Sequence, residues 1–80
     1  MMSNEEAAKN IAANVEKLLG SLGWSVRKLS RMTGDPHMSV VNALSGAHVP
    51  NAGILARIAE ALNVSTDELV RGRKKSRRTA

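Results

Sequence analysis

The chain has 80 residues, a formal net charge of +5 and no cysteine, and Trp24 is its only residue of the Phe, Tyr and Trp group. The absence of cysteine excludes a disulfide scaffold, and no apolar run reaches the roughly 18 residues of a membrane-spanning helix. These limits favour one small cytoplasmic domain of helices, with a core of Ala, Leu, Val and Ile.

The positive charge is concentrated at the C-terminus. The last ten residues contain six basic residues and no acidic residue, whereas the first 70 contain six basic and seven acidic residues. We therefore expect a nearly neutral domain at 1–70 and a disordered basic tail at 71–80. A positive net charge can indicate binding to nucleic acid, but here the charge belongs to the tail. Any nucleic-acid-binding surface on the domain therefore has to be argued from local geometry and local charge.

The first predicted helix begins at a capping box. Ser3 and Glu6 have the S-x-x-E spacing in which each side chain satisfies a backbone N–H group. Apolar residues then recur at every third or fourth position, which predicts one buried face on a helix that ends near Gly20. The members of that face are Ala8, Ile11, Ala12, Val15, Leu18, Leu19 and Leu22.

A second helix is expected after a break at 20–24. Ser25 fits its N-cap, and the helix should extend to about Met32. Its inward residues are expected to be Val26, Leu29 and Met32. The only local basic cluster of the domain is Arg27, Lys28 and Arg31. Such a cluster is either a solvated helix face or a set of phosphate contacts beside a DNA groove.

A tight turn should join the second helix to a third. Ser30 is small enough for a close crossing, Gly34 suits a turn with positive φ, and Val40 can hold the two helices together. We expect Asp35 to be the N-cap of the third helix and Pro36 its first residue. The inward residues and the C-cap of this helix are expected to be Val40, Ala43, Leu44 and Gly46.

Two further helices complete the predicted domain. Asn51 fits the N-cap of a fourth helix, and Asn63 can end it in the left-handed conformation. Ser65 and Glu68 form a second capping box at the start of a short fifth helix. The inward residues of these two helices are expected to be Ile54, Leu55, Ile58, Ala59, Leu62, Leu69 and Val70.

Taken together, these features resemble the helix-turn-helix domain of phage lambda-type repressors and Cro proteins, the XRE family. The residues that carry the resemblance are Leu29-Ser30 with Gly34 and Val40, Gly46 with Pro50, and the closing stretch 55–70. The resemblance extends over about residues 11–70. It implies an all-α, compact, five-helix lambda-repressor-like domain in which the third helix is the recognition helix.

Two departures from the family pattern bear on function. Val26 stands where many members have a Gln that contacts the DNA backbone, so this contact would move to Ser25, Arg27 or backbone N–H groups. Leu19 and Leu44 stand where many members have a buried Arg–Glu pair. We expect these leucines to pack together, because apolar replacement of a buried ion pair is often neutral or stabilising.

The resemblance places the base-reading positions on His37, Met38 and Asn42, with Ser39 and Val41 beside them. Asn can form two hydrogen bonds with adenine, and Met or Val can pack on a thymine methyl group. A His N–H group can donate to guanine or to a phosphate. Each residue also has a simpler interpretation: an exposed position without a role for Asn42, a surface or capping role for His37, and a core position for Met38.

Contacts to the DNA backbone are expected from the second helix, the loop after the third helix and the basic tail. A basic tail can add non-specific affinity or lie in a minor groove, or it can act only as a solubilising terminus. The expected contact residues are Ser25, Arg27, Lys28, Arg31, His48, Arg71, Arg73, Lys74 and Lys75. His37 and His48 lack further ligand types such as Cys nearby, so no metal or cofactor is expected.

The sequence therefore predicts a transcriptional regulator, foremost a repressor that binds a near-palindromic operator as a homodimer, with the third helix in the major groove. An antitoxin or controller protein, whose main task is to bind a partner protein, remains open because the same fold serves both. An enzyme is not expected, since the chain has no nucleophilic Cys, metal cluster or Gly-rich phosphate loop. The resemblance implies a bacterial or phage origin.

Overall fold

The structure, a computed structural model, describes residues 3–71. It contains five helices: α1 (Asn4–Leu22), α2 (Val26–Thr33), α3 (His37–Ala43), α4 (Ala52–Leu62) and α5 (Thr66–Arg71). Their number and order, with no strand anywhere in that range, confirm the expected all-α, five-helix fold. None of these helices is long and apolar enough to span a membrane.

The core forms where all five helices meet. Each helix places at least one fully buried apolar side chain there: Ile11 and Val15 of α1, Leu29, Val40, Ile58 and Leu69. α1 packs mainly on α5, while α2 packs on both α3 and α4. Truncating one such side chain to Ala typically costs about 2–5 kcal/mol, so each helix depends for its position on the helices that it packs against.

The capping box of α1 is confirmed, and the helix ends two residues after Gly20, near which its end was expected. The N–H group of Glu6 donates to Ser3 Oγ at 3.1 Å. The helix continues through Gly20 to Leu22, and Gly23 caps it with φ 70°. Leu22 is 48% exposed, contrary to the inward position expected for it. Periodicity identifies the face of a helix, whereas the extent of the core along that face depends on the other helices.

α2 begins at the predicted N-cap, but the residues that face the core in its last turn differ from those predicted. The N–H group of Lys28 donates to Ser25 Oγ at 3.1 Å, which confirms Ser25 as the N-cap. Met32 is 54% exposed, so its expected inward position is wrong. The more buried residues of α2 follow the helical spacing i, i+3, i+4 and i+7, which Met32 does not fit. These residues are Val26, Leu29, Ser30 and Thr33.

The caps predicted for the last two helices are confirmed. Asn51 Oδ1 accepts a hydrogen bond from the N–H group of Ile54 at 2.9 Å. Asn63 ends α4 in the left-handed conformation with φ 60°. In the second capping box, Ser65 N–H donates to Glu68 Oε1 and Glu68 N–H donates to Ser65 Oγ, both at 3.1 Å.

The end of α5 is tied to α1 by a contact that the sequence did not predict. Asn14 donates through Nδ2 to the carbonyl oxygen of Leu69 at 2.7 Å. Arg71, which we had expected to begin the disordered tail, is the last residue of α5 and pairs with Asp67 at 3.1 Å. α5 thus extends to Arg71, and the domain boundary at residue 70 stays a prediction. Arg73, Lys74 and Lys75 lie outside the described residues.

The predicted caps of α3 are wrong at both ends. The helix begins at His37, with Pro36 in the N-cap position and no side-chain capping bond. It ends at Ala43 with Leu44 as the C-cap, although Gly46 has the positive φ, 81°, expected of it. α3 therefore has only seven residues and depends on packing for its stability.

Asp35 is engaged by α4 instead of capping α3. Arg57 donates through Nε to Asp35 Oδ2 at 2.9 Å and through Nη2 to Oδ1 at 2.8 Å. The Asp35 side chain is 14% exposed, so this bidentate contact is partly shielded from water. The contact holds the turn before α3 against α4.

The Asp35–Arg57 contact makes folding sensitive to acid. The hydrogen bonds from Arg57 hold the pKa of the Asp35 carboxyl below its usual value of 3.8, although burial acts in the opposite direction. A carboxyl whose pKa is lower in the folded state stabilises the protein at pH values above 3.8, and this contribution is lost as the pH falls through the folded pKa.

We therefore expect Asp35→Asn to lower the free energy of unfolding at neutral pH, and the difference from the parent protein to shrink as the pH falls below 3.8. Urea unfolding of both proteins across this pH range measures the effect. Arg57→Gln is the matched variant, and the double variant should lose little beyond either single change. Additive losses, or a difference that stays constant with pH, would contradict the coupling.

Candidate nucleic-acid interface

The candidate interface is centred on the outward face of α3. Val40 and Ala43 point into the core with exposed fractions of 0% and 4%. Side chains of an α-helix advance by about 100° per residue. When Val40 and Ala43 face the core, the positions i, i+3, i+4 and i+7 counted from residue 38 therefore face the solvent. These positions are Met38, Val41, Asn42 and, two residues after the end of α3, Ser45. We call the four residues the α3 stripe, and all four are exposed.

The α3 stripe combines apolar and amide groups. Met38 is 61% exposed and Val41 is 37% exposed, and Asn42 lies beside both at helical spacing. Ser39 is exposed on the flank of the stripe. The structure thus brings together four of the five predicted base-contact residues on one surface, and the fifth, His37, lies at the start of the helix.

His37 is less available than the sequence suggested. Its side chain is half-buried, and its Nδ1 atom is buried without a hydrogen-bond partner among the described residues. Only the second ring nitrogen, Nε2, therefore remains for a hydrogen bond to DNA. A buried nitrogen without a partner carries a desolvation cost, which the surrounding packing has to offset.

Three cationic side chains of α2 and the hydroxyl group of its N-cap residue are candidates for contacts with DNA phosphates. Ser25 Oγ is occupied by the capping bond, although its hydroxyl hydrogen can still be donated. Arg27 and Arg31 are exposed. The ammonium group of Lys28 lies 5.3 Å from the centre of the Trp24 ring, in cation–π geometry. Trp24 thus restricts Lys28, a role that no helical spacing indicates, because Trp24 precedes the N-cap of α2.

The remaining predicted backbone contacts are dispersed. His48 is exposed in the loop after α3, where it lines a shallow depression with Asn4 and Glu5 at the start of α1. Arg71 ends α5, which packs on α1 and α4. Within residues 3–71 no three His, Cys, Asp or Glu side chains lie close enough to hold a metal ion.

A shallow apolar groove borders the α3 stripe on the side of α1 and α2. Leu44 packs against the core cluster that contains Leu19, in keeping with the apolar replacement of an ion pair. Val26 is half-buried and cannot offer the polar contact that a Gln would make there. The groove has a volume of about 310 Å³ and is lined by Ala12, Glu16, Leu19, Val26, Val41, Leu44 and Ser45.

Two residues that shape the interface were not predicted from the sequence. Arg57 lies 22 positions from Asp35, and no local pattern links the two. Asp35-Pro36 has the composition of a helix start, which concealed the role of Asp35 as an acceptor for Arg57. The sequence indicates for Trp24 only a place in a break between helices, whereas its ring packs on the core and makes a cation–π contact with Lys28.

Comparison with protein families identifies the chain. Residues 15–69 match the family described as "Helix-turn-helix", and this range includes α2, the Gly34 turn and α3. Comparison with curated proteins and with solved structures gives no match. Since the matched range covers more than half of the chain, the protein belongs to the XRE-type helix-turn-helix family of lambda-type repressors and Cro proteins, and it is a DNA-binding transcription regulator of that type.

Proposed function

We propose that the protein is a sequence-specific repressor that binds a near-palindromic operator as a homodimer, with α3 in the major groove of each half-site. The α3 stripe is the observation that carries this proposal. It is exposed, held rigidly by Val40 beneath it, and built from an amide, hydroxyl and apolar groups that match the edges of base pairs.

Charge is divided between the helices in a way that suits this role. Residues 3–71 contain seven basic and seven acidic residues, so the described domain has no net charge to attract DNA as a whole. Three of the basic residues, Arg27, Lys28 and Arg31, lie on α2, directly before the recognition helix. Contacts from α2 to phosphates would set the position of α3, and α3 would read the bases.

The length of α3 is the reason for proposing a dimer. A helix of seven residues is about 10 Å long, which corresponds to about three base pairs of B-DNA. Such a short sequence occurs too often to define an operator. Two copies related by a two-fold axis would place their recognition helices about 34 Å apart, one turn of DNA, and would double the sequence that is read.

The basic residues after α5 would add general attraction. Arg73, Lys74 and Lys75 lie outside the described residues, and their proposed contacts rest on the sequence alone. Each phosphate neutralised by a basic side chain releases counterions, so their contribution would weaken steeply with added salt. Occupation of a promoter by the dimer would then suffice for repression.

Selection of bound sites from random duplex DNA tests the proposed function. We expect enrichment of a near-palindrome whose half-sites lie about one helical turn apart. A single enriched half-site would contradict the dimer. Failure to enrich any sequence would overturn specific DNA recognition and would instead favour a protein whose main partner is another protein.

We further expect Asn42→Ala to weaken binding to the enriched site by about 1–3 kcal/mol and to relax the base preference at one position of each half-site. Asn42 is exposed, so the fold should tolerate the change. Ser21→Ala is the matched control, because Ser21 lies beside Val64 and Glu68 on the α1–α5 side of the molecule. Fluorescence-anisotropy titration measures both; equal affinities for the two variants would remove Asn42 from the reading surface.

A further inference from the structure

Neither the recognition helix α3 nor the two residues after it carry a charged side chain. Residues 37–45 read HMSVVNALS and contain no Lys, Arg, Asp or Glu. Bidentate reading of guanine usually depends on Arg or Lys, and reading of the cytosine amino group on Asp or Glu. The half-buried ring of His37 does not replace this two-donor contact, because its Nδ1 atom is buried and only Nε2 remains for a hydrogen bond. The α3 stripe therefore lacks the usual means of recognising G·C pairs.

The groups that the stripe does present match T·A pairs. The amide of Asn42 fits the N6 and N7 edge of adenine. Met38 and Val41, 61% and 37% exposed, flank this amide at positions i−4 and i−1. The only apolar group that thymine, adenine, guanine or unmodified cytosine projects into the major groove is the thymine C5-methyl. Burial of two exposed apolar side chains against such methyl groups would be favourable.

The groove beside the stripe extends this apolar surface. Val41 lines it together with Val26 and Leu44, so apolar atoms continue from α3 to the start of α2. Glu16 lines the same groove, and its carboxylate would repel a phosphate. An uncharged apolar group from a base edge is thus a better occupant than the DNA backbone.

We propose that α3 recognises its operator through thymine C5-methyl groups, which Met38 and Val41 contact, next to an adenine bound by Asn42. This inference rests on the proposed function and adds the class of base pair that is read. The operator half-site is A·T-rich at the positions facing α3, and its affinity depends on a methyl group that takes no part in base pairing.

Replacement of thymine by deoxyuridine tests the proposal, because it removes only the methyl group. The full-length protein is titrated with the enriched duplex and with duplexes that carry deoxyuridine at one thymine position of each half-site. At one or more of these positions, we expect deoxyuridine to weaken binding by about fourfold for each methyl group removed, since one buried CH₂ or CH₃ group contributes about 0.8 kcal/mol.

Variants of the two apolar residues assign the effect to the protein. Each of the variants Met38→Ala and Val41→Ala should bind with equal affinity to two duplexes that differ only in having thymine or deoxyuridine at the position contacted by the replaced residue. Asn42→Ala is the matched control and should keep the preference for thymine. Both apolar residues are exposed, so their truncation should leave the fold intact.

The possible failures are distinguishable. An enriched operator that the parent protein binds equally with thymine and deoxyuridine at every position would overturn the methyl-reading proposal and leave the repressor function standing. A methyl effect that persists in both apolar variants would overturn the assignment to α3. Failure to enrich any site would remove the proposed function and this inference with it.

Discussion

Burial of Val40 is the contact on which the rest of the interface depends. The side chain is 0% exposed and joins a core with Leu29 of α2 and Ile58 of α4, which are equally buried. A helix of seven residues without a side-chain cap is not stable in isolation. Packing of Val40 therefore both creates α3 and sets its rotation, and the outward direction of Asn42 follows from helical geometry.

The turn before α3 supplies the second constraint. Gly34 takes φ 82°, a conformation that other residues adopt at a cost, and so reverses the chain within a short distance. Arg57 then binds the Asp35 carboxylate in a bidentate contact. The same contact compensates a negative charge directly before the proposed reading helix, where an uncompensated carboxylate would repel DNA phosphates. Geometry and electrostatics at this position thus depend on one residue of α4.

Local patterns predicted the helices and most of their caps, and non-local contacts account for the differences. The capping box at Ser3 and the caps at Ser25 and Asn51 depend on bonds over three residues, which a sequence pattern can encode. The bond from Asn14 to the carbonyl of Leu69 spans 55 residues and leaves no local pattern. The place of Met38 two residues after Pro36 predicts an outward side chain, and Met38 is 61% exposed.

For the candidate site, the sequence indicated which residues share the outward face but not how accessible each one is. No sequence pattern indicates that the Nδ1 atom of His37 is buried. The restraint of Lys28 by Trp24 depends on how the end of α1 is packed.

NMR titration of the ¹⁵N-labelled protein with its enriched duplex tests most directly whether α3 is the reading element. We predict that the largest changes in amide chemical shift occur in residues 37–45 and at the start of α2, where Ser25 and Arg27 lie. Amides of α5 and of the α1 turns that pack on it should change little. Large changes confined to α5 or α1, with α3 unaffected, would contradict the account.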